Sequence, residues 1–344
     1  MDNIPQLNSQ LKSSYPITVL MSVYNGETWI RKSIESILNQ TFEDFEFLII
    51  DDGSIDETKY ILEEFSKKDS RIKIVYKENS GLTNSLNYGL SIAKGTWIAR
   101  IDADDIALPN RLELQYQHIS QSEKNIVLLG SFSKIRGPLN HYDCVAICPL
   151  KNKNLHKNLL NMRSFFSHSS AFFKLEAAKK VGLYRDRLKK AQDFDLWIRL
   201  TDVGEIECLS KALVIITKHE NQISNINFGV EQYVNAHLSL LSYHIREDGG
   251  ICPIDNDSGI EKFKTFKKWT ENQLHKHKKI EYFIELQKIK KKLKSNSVIE
   301  NSFKFFHILI FDPAFFIWYF NYKFFGEKTI KEVYKDWQFE YKKK

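Results

Sequence analysis

The chain has 344 residues, of which 42% are hydrophobic and 27% charged, and its formal net charge is +7. These values are ordinary for a soluble globular protein and exclude a mainly disordered chain. The length allows one large α/β domain with an appendage, or two domains. The basic charge lies near the C-terminus, where residues 261–344 contain twenty lysines against ten acidic residues. The rest of the chain is slightly acidic, and we expect no nucleic-acid partner.

The sequence predicts a cytoplasmic protein. Residues 1–15 are polar and lack a basic start and an apolar run, so we expect no signal peptide. The most apolar window, 303–320, is interrupted by a histidine, an aspartate and a proline, which leaves too little unbroken length for a transmembrane helix. The four cysteines show no spacing typical of a zinc site or a disulfide framework, so we expect reduced thiols, with Cys144 and Cys148 having no redox role.

The first hundred residues alternate between apolar strands and amphipathic helices. Residues 17–25 have the continuous apolar character of a strand buried on both faces, and 27–40 repeat apolar residues at helical spacing. Further strands are predicted at 45–50, 72–76 and 97–101, separated by helices that begin near Asp56 and Leu82. This alternation predicts an α/β fold with a mostly parallel sheet flanked by helices.

The rhythm changes after residue 120. Strands are predicted at 126–135, 143–147, 167–173 and 212–217, and helices at 154–162, at 175–181 and from 191 onward. From 228 the pattern is helical only, with helices at 228–246, 259–295 and 299–326. We therefore divide the chain into an N-terminal arm (1–15), an α/β domain (16–227) and a helical, basic and aromatic C-terminal region (228–344).

Three carboxylates in four positions follow the strand predicted at 97–101. They belong to Asp102, Asp104 and Asp105, and their mutual repulsion favours a hard divalent cation with oxygen ligands at this place. Asp102 and Asp104 are two positions apart, so on an extended backbone they share one face. The alternative is an acidic turn ahead of the helix that Pro109 opens.

Other polar residues follow the neighbouring strands. Asn25 comes after the first strand, and Asp51 and Asp52 come after the second. In a parallel α/β sheet, ligands bind at the carboxyl ends of the strands, which makes these residues and the three aspartates one candidate site. The chain has neither the glycine-rich dinucleotide motif nor the P-loop motif. The pattern indicates a nucleotide-diphosphate site with a divalent ion.

Six motifs in series resemble, in order and spacing, those of the family 2 inverting glycosyltransferases of the GT-A fold. They are Ser-Val-Tyr-Asn-Gly-Glu at 22–27, Asp-Asp-Gly-Ser-x-Asp at 51–56, Asn-x-Gly-Leu at 79–82 with Asn87, Ala-x-Gly at 93–95, Arg-Ile-Asp-Ala-Asp-Asp-Ile at 100–106, and Gln-Asp-Phe-Asp-Leu-Trp-x-Arg-Leu at 192–200. The resemblance covers residues 16–225. It implies a GT-A nucleotide-diphospho-sugar transferase fold, here with a C-terminal helical extension.

The resemblance also implies roles for individual residues. The residues implied to bind the nucleotide are Val23, Tyr24, Asn25, Asp51, Asp52 and Asp102. The residues implied to bind a divalent metal, Mn²⁺ or Mg²⁺, are Asp104, Asp102 and His219. Asp193 is similar to the general base that deprotonates the acceptor hydroxyl. Many members carry Glu-Asp where this chain has Gln192-Asp193. His168 matches a position in the acceptor region.

The implied activity is an inverting transfer of a sugar from a nucleotide-diphosphate donor, typically a UDP-sugar, to a hydroxyl of a glycan or lipid-linked acceptor. The short layout with a basic tail is common among enzymes of bacterial surface polysaccharide and lipopolysaccharide assembly. Two alternatives stay open from the sequence. One is a non-catalytic nucleotide-sugar-binding or membrane scaffold protein. The other is a phosphohydrolase with Asp102 as nucleophile.

Individual residues and the tail also have structural interpretations. An aspartate at position 193 would stabilise a helix N-terminus by about 0.3–1 kcal/mol without any catalytic role. His168 fits equally well as a core histidine. The aromatic band at 303–325 either packs on the α/β domain or lies in a membrane interface, with its flanking lysines on anionic head groups. The second interpretation predicts peripheral attachment to the inner face of the cytoplasmic membrane.

Overall fold

The computed structural model describes residues 15–137, 142–162, 165–219, 229–255, 259–276, 279–281, 283–284 and 333–338. Its centre is a mixed nine-stranded sheet with the strand order β3-β2-β1-β4-β8-β6-β9-β5 and with β7 paired to β6. The strands are β1 (Tyr15–Val23), β2 (Phe45–Asp51), β3 (Ile72–Tyr76), β4 (Gly95–Arg100), β5 (Ile106–Ala107), β6 (Ile126–Arg136), β7 (Tyr142–Ala146), β8 (Phe172–Lys174) and β9 (Glu205–Thr217).

Helices cover both faces of this sheet and continue beyond it. They are α1 (Ile30–Leu38), α2 (Thr58–Lys68), α3 (Leu82–Ile92), α4 (Arg111–Ser120), α5 (Asn152–Leu160), α6 (Leu175–Lys180), α7 (Gln192–Leu200), α8 (Val230–Glu247) and α9 (Ile260–Lys276), with a short 3₁₀ helix at His168–Ser170. Residues 333–338 are also helical. The predicted α/β architecture is thereby confirmed.

The four N-terminal strands are parallel, as predicted. Strand β1 lies between β2 and β4, with Val23 opposite Asp51 and Leu20 opposite Arg100. Residues 17–23 are buried throughout because one face of β1 packs on α1 and the other on α3. Burying each large apolar side chain contributes about 1.5–3 kcal/mol. The parallel arrangement brings the carboxyl ends of β2, β1 and β4 to one edge of the sheet.

The second half of the sheet departs from the prediction at three places. The strand predicted at 167–173 is wrong in its first part, because Ser170 N–H donates to Ser167 O (3.0 Å) and the chain turns there. Strand β8 starts only at Phe172 and runs antiparallel to both β4 and β6. Strand β9 begins seven residues before the predicted start of 212, in a stretch whose charged residues conceal the strand pattern. The two-residue strand β5 was not predicted.

Helices α8 and α9 build a separate apolar cluster with the segment at 333–338. Its buried members include Tyr233, Leu241, Phe266, Trp269 and Val333. Helix α8 confirms the helix predicted at 228–246, and α9 confirms the first part of that predicted at 259–295. The aromatic band at 303–325 lies outside the described residues, as do the N-terminal arm up to residue 14 and the loop at 220–228. Within the described part, every helix is too short or too polar to cross a bilayer.

Candidate functional site

The turn after β1 is tied to the loop after β2. Asn25 adopts a left-handed conformation (φ 51°), and its side-chain oxygen accepts a hydrogen bond from Ile55 N–H (2.9 Å). The N–H of Asn25 donates to Ser54 Oγ (3.0 Å), and Val23 O accepts from Asp52 N–H (2.8 Å). The structure thus brings together the predicted base-binding residues from two strands, with the Tyr24 ring exposed beside them.

Asp51 and Asp52 are both buried, but their surroundings differ. Asp51 Oδ1 accepts one hydrogen bond, from Ser54 N–H (2.9 Å). Asp52 accepts from Lys77 Nζ (2.6 Å) and from three further donors, which are Ser80 N–H (3.0 Å), Gly81 N–H (2.8 Å) and Ser85 Oγ (2.7 Å). Burial alone raises the pKa of Asp52, but these hydrogen bonds outweigh it and hold that pKa below its usual value. Asp52 therefore fastens the segment before α3 to the end of β2.

Residues 102–105, hereafter the acidic loop, follow β4. Carboxylate oxygens of Asp102, Asp104 and Asp105 lie within 4.8 Å of one another. The expectation of an extended backbone here is wrong, because β4 ends at Arg100 and Asp105 N–H donates to Asp102 O (3.2 Å) across a turn. It is this turn that lets all three carboxylates converge.

Each carboxylate of the acidic loop has protein contacts of its own. Asp102 Oδ1 lies 2.5 Å from Arg100 Nη1, and Asp102 Oδ2 lies 2.8 Å from Ser169 Oγ. Asp105 Oδ2 lies 2.5 Å from the same hydroxyl, and Asp105 Oδ1 accepts from Thr217 N–H (2.9 Å).

The third carboxylate of the loop faces a histidine. Asp104 Oδ2 lies 2.8 Å from His219 Nε2, and the histidine ring stacks on Trp29 at 5.2 Å between centroids. Asp104 and His219 are 115 positions apart in the chain. They meet because β9 carries His219 back to the acidic loop, where β9 also pairs with β5.

The electrostatics of the acidic loop fit a divalent cation. Burial raises the pKa of Asp104, the charge of Asp102 raises it further, and the contact with His219 only partly opposes both. Burial and the charges of Asp102 and Asp104 raise the pKa of Asp105 well above its usual value. Converging carboxylate oxygens that carry more negative charge than the neighbouring cations compensate are the kind of ligand set that Mg²⁺ and Mn²⁺ prefer.

Asp193 lies in the first turn of α7, which begins after Ala191 in a left-handed conformation (φ 58°). Burial raises the pKa of Asp193, the N–H of Phe194 partly offsets it, and the charge of Asp102 raises it further. Trp197 of the same helix packs against His168, and Oγ of the adjacent Ser169 lies 2.8 Å from Asp102, which connects α7 to the acidic loop. A carboxylate with a raised pKa near a charged site is a candidate general base.

Asp195, two residues further along α7, has a different role. Its oxygens pair with Arg185 Nη1 (3.0 Å) and Arg199 Nη2 (2.7 Å). Burial alone raises the pKa of Asp195, but the charges of these two arginines hold it below its usual value. Arg185 also donates to Ser242 Oγ of α8 (3.0 Å), so this buried network fixes α7 against the C-terminal helices.

His168 lies beside the acidic loop, next to Ser169. His168 Nε2 forms a 2.8 Å hydrogen bond with Tyr184 Oη, and the imidazole packs edge-on against Trp197 of α7. Burial and the nearby charge of Arg100 lower the pKa of His168 well below its usual value, so the imidazole is neutral. The structure joins both interpretations of His168: the side chain packs on the core and borders the candidate site.

Several site residues had no role assigned from the sequence, although Arg100 belongs to the motif at 100–106. Ser169 bridges two carboxylates, and Thr217 holds Asp105 through its backbone. Arg100 is buried beneath Asp102. The sheet order creates the contacts of Ser169, because β8 and the 3₁₀ helix ahead of it are inserted between β4 and β6, and it brings Thr217 to the acidic loop because β9 pairs with β5. Local sequence patterns do not encode the order of strands in the sheet.

The fold and the acidic loop define the class of protein. A mixed sheet with flanking helices and an Asp-x-Asp turn at the end of a parallel strand is the arrangement of GT-A glycosyltransferases. TarS of S. aureus, solved in complex with UDP-GlcNAc, superposes with a TM-score of 0.56 at 20% identity, covering 67% of this chain and 66% of that one. A mannosyltransferase from Pyrobaculum calidifontis, solved with GDP-Man and Mn²⁺, has a TM-score of 0.53 at 15% identity, covering 96% and 88%. The predicted GT-A fold is confirmed.

Sequence comparison gives the family. The model of glycosyl transferase family 2 matches residues 18–182. The O-antigen biosynthesis glycosyltransferase WbnJ of Escherichia coli is 31% identical over 239 residues, which cover 67% of this chain and 88% of that protein. The chain belongs to glycosyl transferase family 2, and the resemblance found in its motifs is confirmed.

Proposed function

We propose that this glycosyltransferase is an inverting enzyme that moves a sugar from a nucleotide-diphosphate donor, a UDP-sugar, to a hydroxyl of a glycan or lipid-linked acceptor. The proposed setting is the synthesis of a bacterial surface polysaccharide or lipopolysaccharide. Relatives support this assignment: WbnJ is named for O-antigen biosynthesis, and TarS has been solved with UDP-GlcNAc.

One observation carries the proposal. Trp197 of α7, the helix that carries Asp193 in its first turn, packs against His168, and Oγ of the adjacent Ser169 lies 2.8 Å from Asp102 of the acidic loop. Burial also raises the pKa of Asp193. A nucleotide-binding protein without turnover has no need for a poised base at this place. A transferase needs one, because the acceptor hydroxyl must lose its proton as it attacks.

We assign donor recognition to the two tied turns. Asp51 and the backbone of Val23, Tyr24 and Asn25 would hold the base and ribose at the end of β1, with Asp102 on the ribose or diphosphate side. Asp52 would act by shaping this pocket, since its oxygens already accept four hydrogen bonds. Direct contact of Asp52 with the nucleotide stays a prediction.

We assign metal binding to Asp104 and His219, with Asp102 next to them. The 2.8 Å contact between Asp104 and His219 and the convergence of three carboxylates support this ligand set. A divalent cation bound there, Mn²⁺ or Mg²⁺, would neutralise charge on the leaving diphosphate. The mannosyltransferase solved with Mn²⁺ is a fold relative that supports the cofactor class.

The transfer itself would proceed by direct displacement. Asp193 takes the proton of the acceptor hydroxyl, and the hydroxyl oxygen attacks the anomeric carbon from the side opposite the diphosphate. The carbon–oxygen bond to the diphosphate breaks as the new glycosidic bond forms, so the configuration at the anomeric carbon inverts. We assign His168 to the acceptor side, because it packs against Trp197, four positions after Asp193 in α7, and hydrogen-bonds to Tyr184.

The decisive experiment compares Asp193→Asn with wild type on a panel of nucleotide sugars with Mn²⁺. We expect kcat for transfer to fall by about 10²–10⁴-fold, while the affinity for the nucleoside diphosphate changes less than about twofold. Asp186→Asn, on an exposed residue six positions before the start of α7, is the matched control and should keep wild-type kcat. Wild-type turnover in Asp193→Asn would contradict the base assignment. A wild-type protein that binds nucleotide without transfer or hydrolysis would indicate the binding-protein alternative.

We further propose that the enzyme works on the cytoplasmic face of the membrane, attached through its lysine-rich C-terminal region. The excess of lysine in residues 261–344 supports this proposal. Co-sedimentation with anionic vesicles should be strong for the intact chain and lost after deletion of 299–344. Equal sedimentation of both proteins would contradict it.

A further inference from the structure

Arg100 is a fully buried cation directly behind the candidate site. It is the last residue of β4, with 0% of its surface exposed, and its backbone is held by Leu20 of β1 and Ala171 on the opposite side. Side chains alternate along a strand, so Arg100 shares the face of Ile98. That face packs against the cluster containing Tyr184 and Trp197.

The guanidinium has few partners for so deeply buried a charge. Nη1 lies 2.5 Å from Asp102 Oδ1, and none of the three guanidinium nitrogens makes a well-aligned hydrogen bond within the described residues. A buried charge without compensation is costly, so the ion pair with Asp102 is what offsets the burial of Arg100.

Arg100 borders two parts of the candidate site, because its Nη1 contacts Asp102 of the acidic loop and its strand face packs on the cluster that contains Trp197 of α7. Burial dominates the pKa values of the titratable groups around it, and its positive charge acts on each of them in addition. These groups are Asp102, His168, Tyr184 and Asp193. The charge of Arg100 thus acts both on the acidic loop and on Asp193 in the first turn of α7.

We infer that Arg100 is a positioning residue for sugar transfer: from beneath the acidic loop, its guanidinium fixes the direction of the Asp102 carboxylate that meets the donor. This inference rests on the proposed function. Because Arg100 has no exposed surface, it acts through Asp102 and touches no substrate itself. The hydroxyl of Ser169 contacts the other oxygen of Asp102, so both carboxylate oxygens are held by protein contacts.

The nearby Arg111 provides a matched control. Arg111 is equally buried, but its Nη2 donates to the backbone oxygens of Arg100 (2.8 Å) and Ala171 (3.3 Å), and its Nε donates to Gln115 Oε1 (3.1 Å). Within the described residues it therefore supports the core without an ion pair to the acidic loop, although the charge of Asp105 acts on it through space. Removing either arginine lowers stability, but only the loss of Arg100 releases Asp102.

The test measures donor KM, kcat and melting temperature for Arg100→Met, Arg100→Lys and Arg111→Met. We expect Arg100→Met to raise donor KM at least tenfold and by more than it lowers kcat. Arg100→Lys keeps the charge but loses the planar guanidinium, so its KM should be intermediate. Arg111→Met should melt earlier and keep donor KM within twofold of wild type. A smaller folded fraction alone lowers apparent kcat and leaves KM unchanged.

Wild-type donor KM in a folded Arg100→Met protein overturns the inference. If that variant does not fold, Arg100→Lys decides, and wild-type KM there overturns it equally. An equal rise of KM in Arg111→Met also overturns it, because the effect would then be general to the core. A wrong proposed function would give a different result, because the wild-type protein would then transfer sugar from no donor. That result would overturn the inference as well.

Discussion

Two loops of this molecule each contain neighbouring aspartates at the end of a parallel strand. They differ in how far the protein compensates the negative charge of these aspartates. In the loop after β2, Asp52 accepts hydrogen bonds from a lysine, two backbone N–H groups and a serine. In the acidic loop after β4, three carboxylates face one another within 4.8 Å. The pKa of Asp52 is held low, whereas the pKa values of Asp104 and Asp105 are raised.

The difference separates a carboxylate whose oxygens already accept hydrogen bonds within the fold from carboxylates that we propose bind a cation. Asp52 already accepts hydrogen bonds from four donors, and these bonds hold the segment before α3 against the end of β2. In the acidic loop, Arg100 compensates Asp102, but burial and the neighbouring carboxylates still raise the pKa values of Asp104 and Asp105, which is typical of binding and catalytic sites. The following predictions test this distinction, beginning with the largest expected effect.

Removing a carboxylate from the acidic loop should abolish most activity. For Asp104→Asn we expect transfer with Mn²⁺ to fall by about 10²–10³-fold, because loss of a metal ligand costs several kcal/mol of charge stabilisation. The measurement is the initial rate of sugar transfer at saturating donor. Asp44→Asn, on an exposed residue before β2, is the control. Full activity of Asp104→Asn would assign the metal to other ligands.

Removing Asp52 should instead destabilise the protein. Asp52→Asn loses the ion pair with Lys77 and at least one hydrogen-bond acceptor, so we expect the free energy of unfolding to fall by about 2–3 kcal/mol. Urea denaturation measures this change. Any protein that remains folded should keep a kcat within about threefold of wild type. An unchanged unfolding midpoint would show that these hydrogen bonds are dispensable.

The negative charge of Asp102 in the acidic loop should also affect the pH dependence of kcat. A general base must be ionised, and burial and Asp102 raise the pKa of Asp193 above 3.8, although Phe194 N–H and Arg100 oppose this. Activity is therefore present above the raised pKa and is lost as pH falls through it. We expect the acid limb of kcat, measured at saturating substrates, to have its midpoint above 3.8. A midpoint at or below 3.8 would contradict the assignment of Asp193 as the base.

The smallest effect concerns stability without a cation. In EDTA, Asp104→Asn removes one of three mutually repelling charges. Its melting temperature should therefore be equal to or slightly above that of wild type, and its free energy of unfolding should be higher by less than about 1 kcal/mol. Addition of Mn²⁺ should stabilise wild type and leave the variant unchanged. A clear loss of stability in EDTA would mean that Asp104 supports the fold as Asp52 does.

Much of the α/β half could be predicted because its local patterns agree with its tertiary structure. Continuous apolar segments such as 17–23 became buried parallel strands, and charged residues at their carboxyl ends marked the candidate site. The start of α7 at Gln192 followed from its apolar spacing. In these places burial, periodicity and turn chemistry point to the same structure.

The errors arise where tertiary contacts override local pattern. Residues 167–173 are apolar enough for a strand, but their serines hydrogen-bond locally and form a 3₁₀ turn instead. The first half of β9 is rich in charge and is a strand only because β6 pairs with it. The contacts of Arg100 and Ser169 depend on the position of β8 in the sheet, which no local periodicity encodes.

The acidic loop receives two of its contacts from residues far along the chain. Thr217 reaches Asp105 from 112 positions away, and His219 reaches Asp104 from 115. During synthesis on the ribosome, the parallel strands β1–β4 emerge well before β9 exists, and domains begin to fold from the N-terminal side. The nascent protein therefore has the turns after β1 and β2 before it has a complete acidic loop, and the contacts of Thr217 and His219 with that loop form only when β9 has docked.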